Sequence, residues 1–218
     1  MMHQLMTAFL LFAVGTAACA DTSAPKYMEG IEYQAIPPQT VETGKQIEVR
    51  EFFWYGCPHC YVFEPQLHAW IKKGLPKNAK FVRTPAVFRP DWAPHARAYY
   101  TFEALGAADK LHPAFFEAIN KDKRTLADAN SIAAFAAEHG VPKQKFLDAW
   151  NSFDVDRQAN AALTLARNYG ITGVPSLVVD GKYLTDGGKA GGNLPMLTVT
   201  EYLVAKAAKE RSSTAARK

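Results

Sequence analysis

Apolar and polar positions follow several rhythms along the chain. Residues 5–14 are almost wholly apolar, a length suited to the core of an export signal and too short to span a bilayer. Residues 46–55 gather aromatic and β-branched side chains with no breaker before Gly56, which predicts a strand with Glu51 inside it. Weaker strand patterns stand at 27–36, ahead of the turn at Pro37-Pro38, and at 80–88, where Pro85 predicts an edge strand or an early end. Leu177-Val178-Val179 and Tyr183-Leu184 flank Asp180-Gly181, the signal for a type I′ hairpin.

Elsewhere the spacing is helical. A run from Tyr61 to about Lys73 follows the main strand, with the first turn opening at Pro58 and a kink expected at the internal Pro65. From Asp91 to about Tyr169 nearly every signal is helical. Asp91 is placed to cap a helix that stops at Gly106, and His112-Pro113 to open a short one through Phe116 and Ile119. Asp128 caps a third, Pro142 begins a fourth through Trp150, and residues 159–169 continue the pattern. Aromatic residues in these helices read as core. The glycine-rich stretch at 187–192 lacks a Gly-Lys-Ser/Thr ending and reads as a loop. A last helix runs from Asn193 or Pro195 to about Lys209, and residues 211–218 read as a frayed tail.

Composition narrows the class. Ala18-Cys19-Ala20 is a small-x-small cleavage site, so residues 1–20 read as a signal peptide for export to the periplasm, although its start carries no Lys or Arg. A lipoprotein signal acylated at Cys19 is the alternative, against which Thr16 stands where an aliphatic residue is usual. Removing Cys19 leaves two of the three cysteines, Cys57 and Cys60, too few for a scaffold stapled by disulfides. With 48% hydrophobic residues the chain has ample material for one core. A net charge of +4 without any basic block gives no argument for a nucleic-acid partner. A monomer is the default.

The chemistry lies in Gly56-Cys57-Pro58-His59-Cys60, where the main strand hands over to a helix. Residues i and i+3 of a first helical turn bring their Cβ atoms close enough for a bond between the sulfurs. With Cys57 at the N-cap and Pro58 at the first helical position, first-turn N–H groups and the positive end of the helix dipole face the Cys57 sulfur. That favours a thiolate, and His59 adds a ring donor or partial positive charge beside it. Cys60, one turn deeper, is expected to be buried and to act second. Each pKa unit by which Cys57 is lowered favours its ionised, reduced form by about 1.4 kcal/mol, so the pair is expected to be oxidising.

Phe53-Trp54-Tyr55-Gly56-Cys57-Pro58-His59-Cys60-Tyr61, with Phe63-Glu64 beyond it, resembles the active-site segment of the DsbA family of periplasmic thiol:disulfide oxidoreductases. The resemblance implies a thioredoxin-like α/β fold, a central mixed sheet flanked by helices, formed by residues 21–90 and 170–218 with an all-helical insertion at 91–169. It implies a cis bond at Pro175 beside the cysteines, with Val174 offering backbone hydrogen bonds to an extended client. It favours Glu51 as a proton acceptor or electrostatic tuner for Cys60, against an edge position where its carboxylate reaches water. Glu64 reads as a second tuning charge or, preferably, a solvated helix residue. Arg83 stands near a position where relatives carry a lysine, which leaves a pairing with Glu51 or Glu64 open. The implied partners are exported proteins with free cysteines and a DsbB-like membrane oxidase, and no cofactor is implied beyond the Cys57–Cys60 disulfide.

Two other readings compete. A reductase or isomerase uses the same chemistry in reverse, but isomerases of this fold usually carry a dimerisation domain, for which the residues before the main strand leave no room. A metal-binding protein needs further ligands, and neither a second CxxC nor an H-x₃₋₅-H follows.

Overall fold

The computed structural model describes residues 26–216, so the expected signal peptide and Cys19 lie outside the described residues. Its strands are β1 (Gln34–Ala35), β2 (Ile47–Phe53), β3 (Ala79–Pro85), β4 (Ser176–Val179) and β5 (Tyr183–Asp186). They form one sheet in the order β1-β5-β4-β2-β3, in which β2 and β3 are parallel and the other neighbours antiparallel. The helix α1 (Pro58–Lys73) makes the crossover that a parallel pair requires. The helices α2 (Ala93–Ala104), α3 (Ala108–Asn120), α4 (Ala129–Glu138), α5 (Lys143–Trp150) and α6 (Phe153–Asn168) fill the stretch between β3 and β4. A single turn α7 (Gly187–Ala190) and α8 (Asn193–Ala215) follow β5.

β2, an interior strand, is buried on both faces because a packed layer covers each. Ile47 and Val49 point into a layer completed by Phe63 and Leu67 of α1 and by Met196 and Leu203 of α8. Phe52 points the other way, onto Val178 of β4 and Tyr169 at the end of α6. Phe53, at the end of the strand, joins Tyr55, Cys57 and Cys60 in a third cluster with Phe102, Phe115, Phe135 and Phe146 of the inserted helices. Most aromatic residues of the helical stretch are thus core, in the same cluster as the cysteines, while Phe153 at the start of α6 is exposed. Pro85 ends β3, an edge strand, as its missing N–H dictates.

The hairpin between β4 and β5 has the expected turn. Asp180 and Gly181 have φ of 54° and 65°, and Lys182 N donates to Val179 O at 3.0 Å. A Cβ on Gly181 would stand 2.4 Å from Gln39 O, so glycine meets both a backbone and a space requirement.

Several local expectations are corrected. Asp91 caps nothing: a short 3₁₀ turn, Pro90–Trp92, precedes α2, and the Asp91 carboxylate is engaged by the Arg89 guanidinium at 2.8 and 3.0 Å. His112 and Pro113 lie inside α3, which opens a turn earlier on Ala108, because Ala108, Lys110 and Leu111 are good helix formers and Asp109 places a carboxylate in the first turn. α6 begins at Phe153, with Ser152 Oγ accepting from Val155 N, and not at 159. Asp186 caps a helical turn at 187–190 where a loop was expected. Residues 211–215 belong to α8, because Arg211 reaches back to the buried Asp180 and donates to Gly44 O at 2.8 Å.

Candidate active site

The end of β2 delivers Trp54-Tyr55-Gly56 into a turn, and Cys57 takes the N-cap of α1 with extended backbone, φ −88° and ψ 115°. Its own N–H donates to Trp54 O at 3.0 Å, its carbonyl accepts from Tyr61 N, and Pro58 occupies the first helical turn without a donor to lose. Cys57 Sγ accepts from Cys60 N at 3.4 Å and lies 3.4 Å from Val174 O. Both thiols are free, and both are buried, Cys60 the more deeply at 1% exposure.

Their placement separates the two sulfurs chemically. The hydrogen bond from the Cys60 thiol, with the backbone N–H groups of Cys60 and His59 and the His59 charge, draws Cys57 down to about 6 against the effect of burial. Burial first, then the Cys57 sulfur and the Glu51 charge, push the Cys60 thiol well up. The arrangement holds an ionised Cys57 over a protonated Cys60.

The Trp54 indole lies over Gly56, where a Cβ would come within 2.3 Å of the ring, and stacks on Trp92 at 3.8 Å with the planes 4° apart. On the other flank the Val174–Pro175 bond is cis, and Pro175 is buried beside the cysteines. A groove of about 500 Å³ opens there between exposed His59, residues 172–176 and the Asp186-Gly187-Gly188 turn.

A buried ionic group lies beneath. Glu51 is 1% exposed in β2, an interior strand, which excludes the solvated edge position. Its register partner on β3 is Arg83, whose Nε stands 3.2 Å from Glu51 Oε2. Arg83 Nη2 also donates to Glu64 Oε1 at 2.7 Å, so both pairings left open by the sequence are made. Glu64 is therefore not a solvated helix residue. It is 6% exposed, because α1 turns that face onto β3 and α3. Burial pushes Glu51 up to about 8, with Arg83 opposing. Burial acts the same way on Glu64, but His112, Arg83 and His68 together hold it below the usual carboxylate value.

Sequence reasoning missed His112 as a member of this group. Its Nδ1 lies 2.7 Å from the Tyr55 hydroxyl and its Nε2 3.4 Å from Glu64 Oε2. Only its place in an apolar helix face of α3 marked it in the sequence. Among the described residues, no group of three or more His, Cys, Asp or Glu is placed to hold a metal ion, and no helix is long and apolar enough to cross a membrane.

The DSBA-like thioredoxin domain, as a family model, matches residues 48–204. The chain belongs to the DsbA family. The match runs from β2 into α8 and so takes in the cysteines, the inserted helices and the Val174-Pro175 loop. The thiol:disulfide interchange protein DsbA of Pseudomonas aeruginosa is 44% identical over 209 residues, covering 94% of this chain and 97% of the relative. That of Azotobacter vinelandii is 45% identical over 197 residues, 89% and 90% of the two chains. The crystal structure of Pseudomonas aeruginosa DsbA superposes with a TM-score of 0.79 at 44% identity, covering 88% of this chain and 97% of that one. An oxidoreductase DsbA from Xylella fastidiosa superposes at 0.77 and 34% identity over 85% and 98%. The DsbA fold here is thioredoxin-like with a mixed five-stranded sheet, and the chain is a thiol:disulfide oxidoreductase.

Proposed function

We propose that the protein donates its Cys57–Cys60 disulfide to exported, cysteine-containing proteins in the periplasm and is then reoxidised by a membrane oxidase resembling DsbB. One observation carries the direction of transfer: the Cys57 sulfur at the N-cap of α1, drawn down to about 6. A disulfide whose reduced form contains so stable a thiolate is readily given away.

In the forward reaction a client thiolate attacks Cys57 Sγ and the Cys57–Cys60 bond breaks. Cys60 leaves with the bonding pair and takes a proton from Glu51, whose charge bears on it. A second client thiolate then attacks the client sulfur of the mixed disulfide, and Cys57 departs as a thiolate. The client loses two electrons and the enzyme gains them. Pro58 and His59 tune Cys57, Pro58 by opening the helix without a donor and His59 by its backbone N–H and ring charge. Val174 and Pro175 form the client-binding edge, a reading supported by the 3.4 Å approach of Val174 O to Cys57 Sγ and by the groove that continues from it.

The deciding experiment equilibrates the purified protein with glutathione and reads the fraction of Cys57–Cys60 disulfide. An equilibrium strongly favouring the dithiol is expected. A disulfide that resists glutathione would overturn the donor role and leave a reductase.

A further inference from the structure

Four ionisable side chains from β2, β3, α1 and α3 form a row, Glu51, Arg83, Glu64 and His112, of which all but the partly exposed Arg83 are buried, with successive contacts of 3.2, 2.7 and 3.4 Å. The row carries two carboxylates and one fixed cation. With both carboxylates ionised and His112 neutral it sums to −1, an uncompensated charge that burial disfavours. One added proton makes it neutral. His112 Nε2 and Glu64 Oε2 face each other, both buried, close enough for their charges to interact yet without a hydrogen-bond partner. Tyr55 meets Nδ1, and Nε2 is left facing a carboxylate, whereas the unpartnered Nδ1 of the other buried histidine, His95, faces no ion-pair partner among the described residues. A cavity of about 40 Å³ adjoins this gap, lined by Glu64, Arg83 and His112. That volume admits water, and exposed His68, Glu103 and Asp109 at its rim connect it to solvent.

We propose that His112 is a positioning residue that stores the proton complementary to Glu51: the row holds one labile proton, on Glu51 in one state and between His112 Nε2 and Glu64 Oε2 in the other, exchanged with solvent through this cavity. The proposal rests on the disulfide-donor reading only in taking Cys60 as the leaving thiolate. When the Cys57–Cys60 bond breaks, Cys60 leaves as a thiolate and takes the Glu51 proton, and the row falls to −1. A proton from water in the cavity then adds to His112 Nε2. The imidazolium donates from Nε2 to Glu64 Oε2 and from Nδ1 to the Tyr55 oxygen, restoring neutrality. On reoxidation the Cys60 proton returns to the Glu51 carboxylate and His112 releases its own to water.

The groups facing His112 are consistent with such a store. Tyr55 comes from the turn before α1, Glu64 and His68 from α1, Arg83 from β3, Tyr99 and Glu103 from α2, and Asp109 from its own helix. Burial and the Arg83 charge disfavour the imidazolium while Glu64 favours it. Burial prevails and holds the ring below the ordinary imidazole value, so it rests neutral beside the Glu64 carboxylate and takes a proton only when the row has lost one.

The test is a side-chain NMR titration of the His112 ring nitrogens and the Glu51 carboxyl carbon, in the dithiol and disulfide forms of the protein. At a given pH the His112 ring is expected to carry more proton in the dithiol form than in the disulfide form, and the Glu51 carboxyl correspondingly less. In His112→Gln the Glu51 midpoint is expected to rise by about one pH unit, the scale of a lost neighbouring cation. The pH dependence of the glutathione equilibrium should shift with it. A ring that keeps one protonation state in both redox forms would overturn the proposal, as would a Glu51 midpoint unmoved in the variant. Should His112→Gln fail to fold, the titration of the unaltered protein decides alone. A disulfide resistant to glutathione beside coupled titrations would overturn only the donor reading.

Discussion

A thiol that caps a helix and a thiol one turn inside it are the same functional group in different fields, and that difference organises the chemistry of this protein. Cys57 meets N–H groups, while Cys60 meets aromatic rings and the Glu51 charge. The ultraviolet absorbance of the reduced protein is expected to report one thiolate forming with a midpoint near pH 6. A first thiolate appearing only near pH 8.5, the ordinary value for cysteine, would mean the cap has no electrostatic effect. Cys57→Ser should abolish disulfide transfer with the fold intact, and Cys60→Ala should accumulate mixed disulfides with client proteins, read on non-reducing gels of the exported fraction. Glu51 has the opposite sign. Its folded value of about 8 lies above its unfolded value, so it costs stability once pH passes about 4.3, increasingly until about 8. Glu51→Gln is therefore expected to melt higher than the parent at pH 7, with the gap closing below pH 4; a lower melting point at pH 7 would contradict the burial penalty.

At the scale of elements, the structure depends on ends meeting ends. Capping chemistry sits where neighbouring residues supply it, as Asp128 does by accepting from Asn130 N and Ser131 N at 2.8 and 3.0 Å. The last turns of α8 form for a different reason. Arg211 grips Asp180, a buried carboxylate in the β4–β5 turn that Lys182 also approaches at 3.2 Å. Arg211→Ala leaves that carboxylate with half its partners and should cost about 1–3 kcal/mol in denaturant unfolding, with disulfide transfer unaffected. A frayed tail, as the local sequence suggests, would give no change. α3 shows the same dependence: its interior His112 is held by Tyr55, 57 residues earlier in the chain.

For the whole molecule, the redox state and the stability of the fold are linked. The Cys57 thiolate has a folded value near 6, below that of an unfolded cysteine. Its contribution to the reduced protein is complete above the unfolded value and is lost as pH falls through about 6. The disulfide form has no such term, and the short loop it closes restricts the unfolded chain little. At pH 8 the dithiol protein is accordingly expected to unfold at higher denaturant concentration than the disulfide protein, with the two curves converging as pH drops below 6. A disulfide form more stable at pH 8 would contradict the thiolate stabilisation and the donor role together.

What the sequence determined by itself is what neighbouring residues decide. The i, i+3 cysteines after an apolar strand, the proline at the first helical turn and the Asp180-Gly181 hairpin are all short-range, and each is found where its local chemistry requires. The resemblance carried by the same segment extended that reading to the thioredoxin-like sheet and to a cis bond at Pro175. Tertiary structure alone decided the surroundings of Glu51, Glu64, His112 and Arg211. Glu64 looks solvated on a helix, and becomes an ion-pair partner only because α1 lies against β3, 19 residues on. Trp54 meets Trp92, and His112 meets Glu64, only after the inserted helices fold back over the end of β2. A carboxylate or imidazole is read by what surrounds it, and here those surroundings come from segments distant in the chain.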